Sequence, residues 1–169
     1  MKPLPDILST LAEYMPISVA QHISALLMAQ IMRRHRDLFE RLGEHRCKRF
    51  AFAPSDLPLA FVVSPNGPSV TVCRKPPVPE ADAAVEGPLF MLLALLEGRQ
   101  DADALFFSRD LTVTGDMEAM LALRNALDDS NIDLPNDLGA MAGPLAPLVS
   151  RVACGVRSRV LAEGEASWS

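Results

Sequence analysis

The segment from residue 47 to residue 73 constrains the fold of this chain most strongly, because it repeats short runs rich in Phe and Val. These runs cover residues 47–53, 59–64 and 70–73 and are separated by residues typical of tight turns, namely Pro54, Pro58, Pro65, Asn66, Gly67 and Pro68. Consecutive short strands with tight connections predict an antiparallel meander. We expect one covered face to carry Phe50, Phe52, Phe61, Val63, Val70 and Val72.

A helical pattern precedes these strands. Ser18 and Gln21 have the spacing of a capping box, and we predict one amphipathic helix over residues 19–42, ended by Gly43. A shorter helix over residues 6–14, broken by Pro16, is expected before it. The apolar stripe of the long helix comprises Val19, Ile23, Leu26, Leu27, Ile31, Leu38 and Leu42.

The second half of the chain predicts alternating strands and helices. Residues 81–86 suit a further strand, and Pro88 suits the first turn of a buried helix that reaches Glu97 and is closed by Gly98. Residues 105–108 and 111–114 indicate another strand or strand pair, after which Asp116 is placed to cap a helix through Leu127. Residues 131–143 are typical of a loop, and a last helix is expected from Pro144 onward.

Composition and charge narrow the class of protein. The length of 169 residues suits one domain, and 49% hydrophobic against 5% aromatic residues predicts a soft aliphatic interior. The net charge of -5 argues against a nucleic-acid binder, which needs an excess of clustered Lys and Arg. Cys47, Cys73 and Cys154 are odd in number and far apart, as is typical of free thiols in a reducing compartment.

Neither export nor membrane insertion is indicated. The amino terminus, residues 1–6, carries prolines and an acid where a signal peptide needs an apolar run. The most apolar segment, residues 89–96, covers less than half of the ~20 residues that span a bilayer. We therefore expect a cytoplasmic protein that contacts the inner membrane only peripherally.

Two stretches resemble the lipid-binding domain of the sterol-carrier-protein family. The first is Ala-Asp-Ala-Ala-Val-Glu-Gly at residues 81–87, with the apolar helix after it, and the second is Asp-Ala-Leu-Phe-Phe-Ser-Arg-Asp-Leu-Thr-Val-Thr-Gly-Asp at residues 103–116. In that family a strand with an acid near its start leads into a buried helix. A later strand that ends in Gly-Asp leads into the next helix. The similarity covers residues 47–129.

The resemblance implies an α/β fold of the α+β kind. It has a mostly antiparallel five-stranded sheet covered by helices, an apolar tunnel or groove, and helical extensions at both ends. We divide the one compact domain into a helical extension at 1–44, a lipid-binding core at 45–130 and a carboxy-terminal helix and tail at 131–169. The part after residue 130 carries no motif that aligns with the family.

Within the family, the run at residues 105–116 and the long helical lead-in look most like a bacterial accessory factor of ubiquinone biosynthesis. This likeness implies a non-catalytic lipid carrier without cofactor, acting in oxygen-independent ubiquinone synthesis. The implied cargo is a polyprenylated ubiquinone precursor or a membrane phospholipid, and the implied partners are other ubiquinone-biosynthesis proteins.

The candidate lipid-binding residues are apolar and come mainly from the second half of the chain. They are Phe61, Leu89, Phe90, Leu92, Leu93, Leu96, Leu105, Phe107, Leu111, Val113, Met117, Met120 and Leu121. Each CH₂ group of a lipid chain buried among them contributes about 0.8 kcal/mol. The same residues would also fill an ordinary core, and it is the resemblance that favours a cavity.

Basic and aromatic residues indicate where the protein contacts a membrane. The candidates are Arg33, Arg34, Arg151, Arg157 and Trp168, because cations beside an apolar stripe suit an anionic bilayer. A solvated helix face is the alternative interpretation of the same charges.

Two other functions stay open at the level of sequence. A scaffold that assembles quinone-biosynthesis proteins would need no lipid cargo. An enzyme acting on a lipid head group would use Asp116 or Asp82 as its base, although helix capping explains Asp116 more simply. His22, His35 and His45 lack the spacing of metal ligands, so we predict neither a catalytic nor a metal site.

Overall fold

The computed structural model describes residues 13–97, 111–130 and 132–133. Within these residues the helices are α1 (Ile17–Arg34), α2 (Leu89–Leu96) and α3 (Met117–Ser130), and a 3₁₀ segment covers Glu40–Cys47. The strands are β1 (Phe50–Pro54), β2 (Leu59–Ser64), β3 (Ser69–Arg74), β4 (Ala83–Gly87) and β5 (Thr112–Gly115).

The strands form one five-stranded sheet in the order β3-β2-β1-β4-β5. The first three strands make the predicted antiparallel meander, and β4 pairs antiparallel with β5. Between these two units β1 and β4 run parallel, from Phe50 beside Ala83 to Pro54 beside Gly87. The sheet is therefore mixed, and its mostly antiparallel α/β character agrees with the predicted fold class.

The strand boundaries follow the turn residues closely. Strand β2 has the predicted bounds, and β3 extends the predicted run by one residue at each end. Strand β1 begins at Phe50 because the preceding 3₁₀ segment occupies the chain as far as Cys47. The predicted strand at residues 105–108 lies outside the described residues.

One face of the sheet is apolar across all five strands. Cross-strand pairing joins Phe50 to Val63, Phe52 to Phe61, Val63 to Val70 and Phe61 to Val72, so these side chains share one face, as predicted. The parallel pairing adds Val85 beside Phe52, and β5 adds Val113 beside Val85. Helix α1 contacts β3, α2 contacts β1 and α3 contacts β4.

The prediction of a single long helix over residues 19–42 was wrong. Helix α1 begins at Ile17 after Pro16 and ends at Arg34, and no side chain caps its amino terminus. The chain then turns, so that Leu38, Phe39 and Leu42, all less than 5% exposed, join the same core cluster as the α3 side chains. A straight helix would carry these three residues away from that core. Burial therefore overrides the continuous helical pattern.

The other two helices begin where the sequence predicts. Pro88 immediately precedes α2, whose first backbone N–H, that of Leu89, donates to Asp56 Oδ1 at 3.0 Å. Asp116 caps α3 as expected, because its Oδ1 accepts from the Ala119 N–H at 3.0 Å. Helix α3 then continues to Ser130.

Several predicted elements fall on residues that the structure does not describe. These are most of the helix at 6–14, the loop at 131–143 and the helix from Pro144. The proposed divisions of the domain after residues 44 and 130 stay predictions.

Candidate functional site

An apolar cavity of about 230 Å³ lies between the sheet and helices α1 and α2. The α1 wall comprises Ser24, Leu27, Met28 and Ile31, and the α2 wall comprises Leu89, Leu92, Leu93 and Leu96. The floor is formed by strands β1, β2 and β3 through Phe52, Pro54, Phe61, Val63 and Val70. Such a lining has hydrocarbon surface on every side.

The cavity lies where the two helices leave part of one strand, β2, uncovered between them. Helix α1 lies against the edge strand β3 and α2 lies against β1, while β2 runs between those strands. Phe61 and Val63 on β2 remain partly exposed although their strand is internal to the sheet. Under α3, by contrast, side chains such as Phe50, Met91 and Met120 are at most 1% exposed. The interior is filled beneath α3 and hollow beside α1.

The size of the cavity suits part of a lipid. Pockets that enclose a drug-sized ligand measure about 300–1,000 Å³, somewhat more than the 230 Å³ observed here. The cavity is also partly open, which allows a long chain to extend beyond it. A segment of hydrocarbon chain is therefore the ligand that the volume and the lining favour.

Comparison with known protein families agrees with this geometry. The family model described as the SCP-2 sterol transfer family matches residues 28–128, which include all of the cavity wall except Ser24 and Leu27. This chain belongs to the SCP-2 sterol transfer family. Membership of the family gives the protein a lipid-binding role, in line with the resemblance seen in the sequence.

A solved structure of an SCP-2 protein shares the fold, and two further solved structures are similar to a lower degree. A structure described as the UbiJ-SCP2 ubiquinone synthesis protein is 20% identical, with a TM-score of 0.54, and covers 70% of this chain and 98% of its own. Sterol carrier protein 2 from Yarrowia lipolytica in its apo form is 19% identical, with a TM-score of 0.47 and coverages of 70% and 100%. Domain 2 of the sterol carrier protein from Helicoverpa armigera is 13% identical, with a TM-score of 0.46 and coverages of 79% and 98%. The curated proteins contain no significant match.

The structure brings part of the predicted lipid-binding set to the cavity of this SCP-2 domain. The residues that line it are Phe61, Leu89, Leu92, Leu93 and Leu96. Phe90, Leu111, Val113 and Met120 instead pack in the adjoining core. Met117 and Leu121 lie on the outer side of α3, 52% and 40% exposed. Leu105 and Phe107 are outside the described residues.

The α1 wall of the cavity was not among the predicted lipid-binding residues. The single stripe predicted for this helix divides into two in the structure. Leu27 and Ile31 face inward, whereas Val19, Ile23 and Leu26 are 44%, 46% and 46% exposed. Apolar residues on both sides of the helix were visible in the sequence, but which side faces the sheet depends on how α1 packs on β3.

Two side chains tie α1 and the residues just before it to the edge strand β3. The Gln21 side chain donates from Nε2 to the Val70 carbonyl and accepts at Oε1 from the Val72 N–H, both at 2.7 Å. Arg74 on the same strand donates to the Met15 carbonyl at 2.8 Å. The capping box predicted for Ser18 and Gln21 is therefore wrong, because the glutamine amide bonds to β3 instead.

The acids considered as bases lie at the β4–β5 end of the sheet and not in the cavity lining. Asp116 caps α3, and its Oδ2 is 3.3 Å from Lys48 Nζ. The hydrogen bond from the Ala119 N–H, with help from Lys48, holds the pKa of Asp116 below its ordinary value of 3.8. Asp82 accepts from the Arg49 N–H at 2.7 Å. Both carboxylates thus have structural partners.

The described part of the chain contains neither a metal-binding cluster nor a membrane-spanning helix. No group of three or more His, Cys, Asp or Glu side chains there is placed to hold a metal ion. In the same residues no helix has the length and apolar character needed to cross a membrane. Arg33 and Arg34 are exposed in the last turn of α1, whereas Arg151, Arg157 and Trp168 lie outside the described residues.

Proposed function

We propose that this protein is a non-catalytic accessory factor that holds the prenyl chain of a ubiquinone precursor and presents its head group to biosynthetic enzymes. The observation that carries the proposal is the cavity between α1, α2 and the sheet, where a lining that is apolar except for Ser24 replaces the filled core found under α3. Burial of a prenyl segment there contributes about 0.8 kcal/mol for each CH₂ equivalent. An acyl chain of a membrane phospholipid satisfies the same surface.

The link to ubiquinone synthesis rests on two further observations. The run from residue 105 to residue 116 and the helical lead-in look most like the bacterial accessory factor UbiT. In addition, a structure with the same fold is described as a ubiquinone synthesis protein. Both support a polyprenylated precursor as cargo, other proteins of that pathway as partners, and oxygen-independent synthesis as the setting.

The first test is to identify lipid that accompanies the protein. Organic extraction of gently purified protein, followed by mass spectrometry, should release a polyprenylated precursor or a phospholipid in near-stoichiometric amount. The protein should also take up such a lipid from liposomes. If the extract contains no lipid and uptake fails, the proposed function is refuted.

A pair of matched variants tests whether the cavity is the binding site. Leu93→Trp enlarges a side chain that lines the cavity, whereas Leu121→Trp makes the same change at a position on α3 that is 40% exposed. We expect Leu93→Trp to lose most lipid uptake and Leu121→Trp to retain it. Thermal unfolding of both variants checks that each is folded. Equal uptake by the two folded variants would place the lipid elsewhere.

We further propose that the outer face of α1 contacts the membrane when lipid is loaded. Val19, Ile23 and Leu26 form an exposed apolar stripe, and Arg33 lies two turns beyond Leu26 on the same side of the helix. Apolar side chains beside a cation suit an anionic bilayer surface. Arg34 next to it, and Arg151, Arg157 and Trp168 in the carboxy-terminal segment, are assigned to the same contact.

Sedimentation with vesicles containing phosphatidylglycerol tests this contact. Leu26→Asp should reduce binding strongly, whereas Ala25→Asp adds the same charge to an exposed position off the stripe and should reduce it less. Equal loss in both variants would indicate a general effect of charge and would contradict a role for the stripe.

A further inference from the structure

The cavity lining contains a single polar side chain among the residues that the structure describes. Ser24, on the α1 wall, is partly buried, and every other lining residue has an aliphatic, aromatic, thioether or proline side chain. A hydroxyl in such a wall has to find a hydrogen-bond partner when the cavity is occupied.

The Ser24 hydroxyl does not use the partner that the helix offers. A serine inside a helix commonly donates to the carbonyl four residues before it, and Ser130 does so, with Oγ 2.6 Å from the Ala126 carbonyl. Within the described part of the chain, Ser24 Oγ makes no hydrogen bond of this or any other kind. Its hydrogen-bonding capacity is therefore unused within the described part of the chain.

The turn of α1 that carries Ser24 is held in place. Gln21 lies three residues earlier, on a neighbouring part of the helix surface, and its amide is bound to the backbone of Val70 and Val72. Val70 itself lines the cavity. The helix turn that carries the hydroxyl is consequently fixed relative to the cavity floor, so the backbone needs little reorganisation to bind a ligand.

A hydroxyl in the cavity wall distinguishes cargo that carries an oxygen from pure hydrocarbon, because either cargo displaces the water bound to it. Before a cargo enters the partly open cavity, water can bond to Ser24 Oγ. A pure hydrocarbon displaces that water and leaves the hydroxyl without a partner. A cargo with an oxygen within hydrogen-bond distance of Ser24 Oγ replaces the lost bond. A site that offers a hydrogen bond discriminates against the analogue that cannot make it.

We propose that Ser24 is a specificity-determining residue that hydrogen-bonds one oxygen of the cargo. The cavity then prefers a prenyl chain bearing a hydroxyl or phenol oxygen to the same chain as a hydrocarbon. This inference rests on the proposed function, because it assumes that the cavity takes up prenyl lipid.

Farnesol and farnesene are suitable probes, because they share a prenyl chain and differ in the terminal hydroxyl. Each is titrated against a fluorescent lipid bound to the full-length protein, and the ratio of the two affinities is measured. The wild-type protein should prefer farnesol by about twofold to tenfold, the range for one neutral hydrogen bond. Ser24→Ala should reduce that ratio to one or below, because farnesene no longer leaves a serine hydroxyl without a partner and the farnesol hydroxyl loses its own. Ser24→Thr keeps the hydroxyl and should keep the preference.

The outcomes separate this inference from the proposed function. Binding of both probes with the same ratio in the wild-type protein and Ser24→Ala overturns the role of Ser24 and leaves lipid binding intact. Failure of the wild-type protein to bind either probe, or any lipid from liposomes, overturns the proposed function itself. The ratio is insensitive to a uniform loss of folded protein, since both probes report on the same sample.

Discussion

Replacement of Gln21 by leucine tests how the α1 wall of the cavity is held. The glutamine amide pairs with two backbone groups of β3, the Val70 carbonyl and the Val72 N–H, each at 2.7 Å. Because β3 is an edge strand, the amide occupies bonding positions that a further strand would otherwise use. Leucine has a similar size and cannot form either bond.

The expected loss of stability follows from these two bonds. A buried hydrogen bond contributes about 1 kcal/mol, so the pair contributes about 2 kcal/mol. Water can rebind part of the exposed strand edge, so we expect Gln21→Leu to lower the free energy of unfolding by about 1–2 kcal/mol. For a domain of this size that loss lowers Tm by about 2–8 °C.

Three measurements check this prediction. Urea and thermal unfolding give the change in stability, and amide hydrogen exchange reports on the Val72 N–H, which should exchange faster without its acceptor Gln21 Oε1. Ser18→Ala is the control, because α1 has no side-chain cap and a surface change there should alter stability by less than about 0.5 kcal/mol.

A further variant tests the chemistry of the contact. In Gln21→Glu the carboxylate can still accept from the Val72 N–H, but it cannot donate to the Val70 carbonyl and it brings negative charge to that oxygen. The folded state therefore raises the pKa of this glutamate, and stability should recover as the pH falls and the carboxyl becomes protonated. If Gln21→Leu changes neither the unfolding free energy nor the exchange of Val72, the glutamine does not hold α1 and this reasoning is refuted.

Two predictions concern the junction of β5 and α3. Gly115 has φ of +82°, and a Cβ there would overlap the Asp82 carbonyl oxygen. Gly115→Ala should therefore destabilise the fold by more than about 1 kcal/mol, and a urea midpoint equal to that of the wild type would contradict this. The Ala119 N–H and Lys48 lower the pKa of Asp116 below 3.8. The charged carboxylate of Asp116 therefore stabilises the fold above pH 3.8, and this stabilisation is lost as the pH falls through the lowered pKa. The stability difference between the wild type and Asp116→Asn should therefore shrink in acid, and a difference that persists at low pH would show that charge is not its source.

Much of the secondary structure could be predicted because its signals are local. Strand β2 lies between turn residues, α2 follows Pro88, and α3 starts immediately after Asp116, which caps it. Each boundary depends on residues within one or two turns of it, and those residues favour the same backbone wherever the element is packed. The resemblance to the family likewise rested on local patterns taken together, namely residues 81–87, the apolar helix after them and residues 103–116.

The site was harder to predict because hydrophobicity does not distinguish a cavity wall from a filled core. Leu93 and Met120 are both apolar residues on helices that cover the sheet, yet Leu93 lines the cavity and Met120 is packed at 1% exposure. Ser24 carried no motif at all. Its position became meaningful only when α1 was placed beside β3.

The sequence by itself determined that the chain forms short strands followed by amphipathic or buried helices, with an aliphatic interior. Only the tertiary structure decided that β4 lies parallel to β1, that α1 stops at Arg34 and that its Leu27 side faces inward. The physical reason is that these features depend on partners far apart in the chain, and the attraction between apolar surfaces has no direction of its own. Which surfaces meet, and where a space is left between them, is settled by how the elements pack together.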